Sequence, residues 1–206
     1  MKPKLLIFDF DGTLADTKKE WISSLIRILK KEKIYCPSCE ARIIIHFGKK
    51  IIDILRAIEI PEKDAERIAQ EVHREFNKTM TRVKLCPGFE DLSNIQGIKI
   101  IVSNSETEVV NKILKKNQKA FLGVYGGDKF NEKPTFIKEL MSKYKIGRKS
   151  TFYIGDRAGD VKVARESGCT SVVISNKCSW NSRVELLEEK PDFIVGSLGE
   201  LALFFN

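Results

Sequence analysis

The chain has 206 residues, 42% hydrophobic and 31% charged, with a formal net charge of +8. That length suits one mid-sized domain, or one domain carrying a small insertion, and the balance is that of an ordinary soluble globular protein. No apolar run approaches the roughly 20 residues of a membrane span, and the run before Asp9 is too short for a signal-peptide core, so no membrane partner and a cytoplasmic location are expected.

In chain order, Lys4 to Phe8 reads as a buried strand that runs into Asp9 and Asp11, after which Gly12 and Thr13 break the pattern. From about Asp16 to about Lys84 no convincing strand run occurs. Trp21, Leu25, Ile28 and Leu29 fall on one helical face, and Ile68, Val72 and Phe76 on another. The stretch Ile43 to Phe47 reads either as a short strand or as a buried helical turn. Within this region Cys36-Pro37-Ser38-Cys39 is the only CxxC. A zinc site there would need two further ligands at matching spacing, and the only histidines are His46 and His73. A surface turn with two free thiols is expected instead, in keeping with an odd total of five cysteines.

Beyond Cys86-Pro87-Gly88, strands are predicted at Lys99 to Val102, Ser150 to Ile154, Ser171 to Ile174 and Phe193 to Val195, with a weaker one at Phe121 to Tyr125. Helical patterns at Glu106 to Lys116, Pro134 to Tyr144, Ala158 to Ser167 and Arg183 to Glu189 alternate with them. That alternation predicts a Rossmann-like, doubly wound α/β core with a mostly parallel sheet over residues 1–15 and 85–206. A helical insertion would occupy residues 16–84. Between Ala15 and Lys84, 16 Lys plus Arg stand against 11 Asp plus Glu, so most of the positive excess lies in the insertion. The lysines are spread along helices and not interleaved with aromatics, which favours solvated helix faces over a nucleic-acid stripe.

In open α/β sheets the ligand crevice lies beyond the carboxyl ends of the strands. Read that way, the strand ends deliver Asp9 and Asp11, then Ser103-Asn104-Ser105, then Lys133, then Asp156 with Asp160 four residues on. Carboxylates crowded on one rim repel, and one lysine does not neutralise them. A hard divalent cation with oxygen-only ligands, Mg²⁺, is the natural partner. A metal, a lysine, a hydroxyl and loop amides together suit a phosphoryl group. Two acids from one turn could then supply a nucleophile and a general acid/base.

The segments "DFDGTLADT", "IIVSNS", Lys133-Pro134 and "YIGDRAGDVKVARESG" resemble the four ordered motifs of the haloacid dehalogenase superfamily, in its phosphoglycolate phosphatase and β-phosphoglucomutase-like branch. The resemblance implies Asp9 as nucleophile and Asp11 as general acid/base, with Ser103, Asn104 and Lys133 binding phosphate. It implies Mg²⁺ on Asp9, on the Asp11 carbonyl and on Asp156, supported by Asp160. It also implies that the helical insertion is a C1-type cap, where Arg42, His46, Lys49 and Lys50 are the first candidates for substrate contact. The expected activity is hydrolysis of a small organic phosphomonoester, phosphoglycolate first. A mutase of the β-phosphoglucomutase type is the alternative, ahead of a phosphate-accepting receiver domain or a nucleic-acid-binding protein.

Overall fold

The computed structural model describes residues 4–46 and 49–206. They form two compact units by internal packing. One comprises the chain up to Asp16 together with Lys84–Asn206, and the other is Thr17–Val83.

The first unit begins with β1 (Leu5–Phe8), each residue of which is wholly buried. A tight turn leads into β2 (Ala15–Asp16). The second unit carries four α-helices among its described residues, α1 (Lys18–Lys31), α2 (Pro37–His46), α3 (Ile51–Ala57) and α4 (Glu62–Thr79). The predicted stripes are its core: Trp21, Leu25, Ile28 and Leu29 from α1 are buried, as are Ile68, Val72 and Phe76 from α4. Trp21 stacks on Phe76 with ring centroids 3.8 Å apart. Charged residues of these two helices pair across the outer face, Lys31 with Glu71 and Arg67 with Glu32. The ambiguous Ile43–Phe47 stretch is helical as far as His46, with Ile43 buried; Phe47 lies outside the described residues.

The chain returns to the first unit at β3 (Lys84–Leu85), which pairs antiparallel with β2. There follow β4 (Ile98–Val102), α5 (Thr107–Leu114), β5 (Gly123–Tyr125), α6 (Lys133–Lys143), β6 (Thr151–Gly155) and α7 (Ala158–Ser167). The last elements are β7 (Thr170–Ile174), α8 (Arg183–Glu188), β8 (Phe193–Val195) and α9 (Leu198–Phe205). Six strands pair in the order β5-β4-β1-β6-β7-β8, all parallel. Successive strand residues face opposite sides of the sheet. Tyr153 on β6 packs with Ile137 and Leu140 of α6 and Ala164 of α7, whereas the neighbouring Phe152 meets Phe205 of α9 edge to face. Helices therefore cover both faces, and the central β1 is the most enclosed strand.

The short β2–β3 pair, helix α9 and the Cys36–Cys39 bond depart from the sequence expectation. Helix α9 was not anticipated, because "LGELALFF" is apolar on nearly every side and carries no 3.6-residue stripe. Cys36 and Cys39 are not free thiols; they form a disulfide. The first turn of α2 brings their Cα atoms to 5.2 Å, inside the range a disulfide requires. Cys86, Cys169 and Cys178 are free and buried.

Candidate active site

The parallel ladder sets the first residue of the site. The Asp9 N–H donates to the Ile154 carbonyl at 2.8 Å, which fixes the chain where β1 leaves the sheet. The turn is then closed by Gly12 N–H to the Ala15 carbonyl and by Leu14 and Ala15 N–H to the Phe10 carbonyl. Gly12 has φ of 80°, a left-handed conformation that favours glycine. A Cβ at that position would fall on the Asp156 carboxylate and the Trp180 ring.

Asp9 is 2% exposed and gripped from both sides. Lys133, at the start of α6, donates to Asp9 Oδ1 at 3.1 Å and to the Tyr153 hydroxyl at 3.2 Å. Arg157 Nη2 donates to Asp9 Oδ2 at 3.2 Å and lies 3.6 Å from Asp160 Oδ1. Asp160 Oδ2 accepts the Asp156 and Arg157 amides at 3.1 and 3.0 Å, which caps the N-terminus of α7, and its Oδ1 accepts the Tyr153 hydroxyl. Asp156 accepts Thr13 Oγ1 at 2.8 Å and the Trp180 amide at 2.7 Å. Asp11 is half-buried, and its Oδ2 accepts Ser105 Oγ at 2.6 Å and Ser103 Oγ at 3.3 Å.

The charges are unequally settled. Burial pushes the Asp9 carboxyl up, but Lys133 and Arg157 outweigh it and hold Asp9 below the usual carboxylate range, so it is ionised at neutral pH. Burial pushes Asp156 well up, reinforced by Asp160. Asp160 is raised by burial as well, with Arg157 pulling the other way and Asp9 adding to the rise. Burial also raises the Tyr153 phenol, which stays a neutral donor.

Ligand oxygens of Asp9, Asp156 and Asp160 lie within 4.8 Å of one another, and all three residues are buried. Oxygen-only donors at that spacing suit a hard divalent cation. The raised affinity of Asp156 and Asp160 for protons marks the positive charge such an ion would provide. The cluster fits a metal.

Of the residues expected at the strand ends, Asp9, Lys133, Asp156 and Asp160 form one connected network, and Ser103 joins Asp11. Asn104 sits in the same loop between Ser103 and Ser105. Arg42, His46, Lys49 and Lys50 belong to the helical unit, where Arg42 pairs with Glu59 at 3.0 Å. Arg157 and Tyr153 were not foreseen, and Thr13 and Ser105, which the sequence placed in the first turn and after the second strand, were given no role there, whereas their hydroxyls bond Asp156 and Asp11. Ser105 repeats the hydroxyl of Ser103 two residues on, and Arg157 directly follows Asp156, so both were adjacent to residues already singled out.

Gly12→Ala is expected to lower stability by at least about 2 kcal/mol, the left-handed backbone and the steric conflict adding together. Thermal unfolding followed by circular dichroism measures it. An unchanged midpoint would mean that the turn relaxes to admit a Cβ beside Asp156 and Trp180.

The sequence matches the family described as haloacid dehalogenase-like hydrolase over residues 6–174. A relative from Caldanaerobacter subterraneus that carries a provisional pyrophosphatase name is 26% identical, over 98% of this chain and 94% of its own. A phosphoglycolate phosphatase from Synechococcus elongatus is 24% identical, over 95% of this chain and 94% of its own. Among solved structures, a haloacid dehalogenase-like family hydrolase from Streptococcus pneumoniae superposes with a TM-score of 0.83 at 20% identity, over 99% of each chain. That superposition speaks for the fold, and the family match spans all the acids, the serines and the lysine of the rim. The chain belongs to the haloacid dehalogenase-like hydrolase family.

Proposed function

We propose that the enzyme is a Mg²⁺-dependent phosphatase that hydrolyses a small organic phosphomonoester through an aspartyl-phosphate, with phosphoglycolate the first substrate to test. The observation that carries this reading is the Asp9 carboxylate, buried at the end of β1 yet held ionised between Lys133 and Arg157. A buried anion kept charged beside two cations is fit to attack an electrophile, and the same cations would offset the charge of an incoming phosphoryl group.

In the first step Asp9 attacks phosphorus while Asp11, at the half-buried edge, gives a proton to the leaving oxygen. In the second, Asp11 takes a proton from the water that attacks the phosphorus of the aspartyl-phosphate, and phosphate leaves. Ser103, Asn104 and Lys133 bind the phosphoryl oxygens in this reading, and the two serine hydroxyls now on Asp11 orient its carboxyl. Asp9, Asp156, Asp160 and the Asp11 carbonyl would hold Mg²⁺, which when bound supplies charge neutralisation at the phosphoryl oxygens. Tyr153 holds Lys133 and Asp160 in register through one hydroxyl. The helical unit would act as the cap that selects the substrate, through Arg42, His46, Lys49 and Lys50. Its positive excess suits an anionic ligand.

The names of the relatives favour small, strongly anionic phosphates, one an organic acid ester and one pyrophosphate. Phosphate release from phosphoglycolate, sugar phosphates and pyrophosphate, with Mg²⁺ and after chelation, tests the proposal. One preferred monoester, cleaved only with a divalent cation, is the expected result. A preference for pyrophosphate would replace the substrate class, and undiminished release after chelation would remove the metal from the account.

A further inference from the structure

We propose that Cys36 and Cys39 form a thiol–disulfide exchange site in the helical unit, reacting with dithiols and disulfides of partner molecules. The inference does not depend on the phosphoryl chemistry.

Placement is the first argument. Cys36 immediately precedes α2, Pro37 is the helix's first residue, and the Cys39 N–H donates to the Cys36 carbonyl at 3.0 Å, so the ring is the opening turn of a ten-residue helix. The free amides and dipole at a helix N-terminus stabilise a thiolate there, and a CxxC in that position lowers the pKa of its leading cysteine. Ser38 Oγ lies 3.4 Å from Cys36 Sγ and donates to it, a further stabiliser of negative charge on that sulfur. Glu40, the acid in the first turn of α2, is held by the Tyr35 hydroxyl at 2.8 Å, and Lys30 lies 4.8 Å from the Tyr35 ring centroid.

Access and topology give the second argument. Both cysteines are only half-buried, and Pro37 and Ser38 between them are exposed, whereas Cys86, Cys169 and Cys178 are buried. A partner sulfur can therefore reach this pair in the folded protein. The bond spans a sequence separation of 3, so it restricts the unfolded chain far less than a long-loop disulfide. A staple is a poor account of it; an exchangeable pair is a better one.

The chemistry balances without any group beyond the partner. In the dithiol form, the Cys36 thiolate attacks a partner disulfide, forming a mixed disulfide and expelling one partner sulfur as thiolate, which takes up a proton. The Cys39 thiolate, having given its proton to solvent, then attacks Cys36 Sγ, closing the Cys36–Cys39 bond and releasing the second partner sulfur as a thiol after proton uptake. The pair is oxidised by two electrons and the partner disulfide is reduced by two. A dithiol runs the sequence in reverse.

The test uses the full-length folded protein in graded ratios of reduced to oxidised glutathione, followed by acid quenching, alkylation and mass analysis of the peptide containing both cysteines. Reversible interconversion in the folded state is expected. The reduced Cys36 thiol should alkylate at neutral pH at least about tenfold faster than an ordinary thiol. Cys39→Ser should capture glutathione as a stable mixed disulfide on Cys36, and Cys36→Ser should capture much less on Cys39. A bond that opens only when the protein unfolds, two thiols that stay free in the oxidised buffers, or Cys36 alkylation at the ordinary rate would each overturn the assignment.

Discussion

Asp9→Asn is expected to lower turnover by at least about 10⁴-fold, the scale of loss when a nucleophile is removed from a catalytic unit. Stability should change far less. Asn is nearly isosteric with Asp, and two electrostatic effects oppose each other. Lys133 and Arg157 lose a buried counter-ion, while Asp156 and Asp160 lose a like charge that now raises both. The net change should stay within about 2 kcal/mol, well short of the cost of stripping one partner from a simple buried ion pair. Steady-state phosphate release and thermal unfolding on the same preparation separate the two quantities. Turnover within tenfold of the parent enzyme would exclude Asp9 as nucleophile, and gross unfolding would show that its charge is structural.

Lys133→Met should affect both quantities. Lys133 is 6% exposed and donates to Asp9 and Tyr153, so its loss leaves a buried carboxylate with Arg157 as its remaining cationic partner and frees the Tyr153 hydroxyl from one of its contacts. Removing one partner of a buried pair costs about 3–5 kcal/mol, and a chain of this length should lose roughly 10 °C in melting temperature. Catalysis should fall by about 10²–10³-fold or more through lost stabilisation of phosphoryl charge. The contrast with Asp9→Asn is diagnostic: there activity falls with the fold largely kept, here both fall. A Lys133→Met protein as stable as the parent would mean that Arg157 alone suffices for Asp9.

Much of this arrangement was legible in the chain. Buried parallel strands write themselves as short apolar runs, and "LLIF", "IIV" and "FYIG" became β1, β4 and β6, the centre of the sheet. The weak signal at Phe121–Tyr125 became a three-residue, half-buried edge strand, where fewer neighbours demand apolar residues. The acids were legible because a carboxylate at the end of a buried strand has no packing reason to be there. Arg157 was not, since a lone arginine in a loop has no periodicity, and its role rests on which acids the fold brings around it. The same holds for Tyr153, whose strand pattern indicates burial but not that its hydroxyl links Lys133 to Asp160. The Cys36–Cys39 bond depends on a distance that only the helical first turn fixes.

In the proposed mechanism Asp9 carries the phosphoryl group between the two chemical steps. Rapid acid quenching during turnover of a phosphorus-labelled substrate, followed by peptide mapping, tests it directly. Protein-bound, alkali-labile label is expected to appear before steady phosphate release and to map to the peptide containing Asp9. Phosphate release with no label on the protein at any time, or label on a peptide without Asp9, would contradict it.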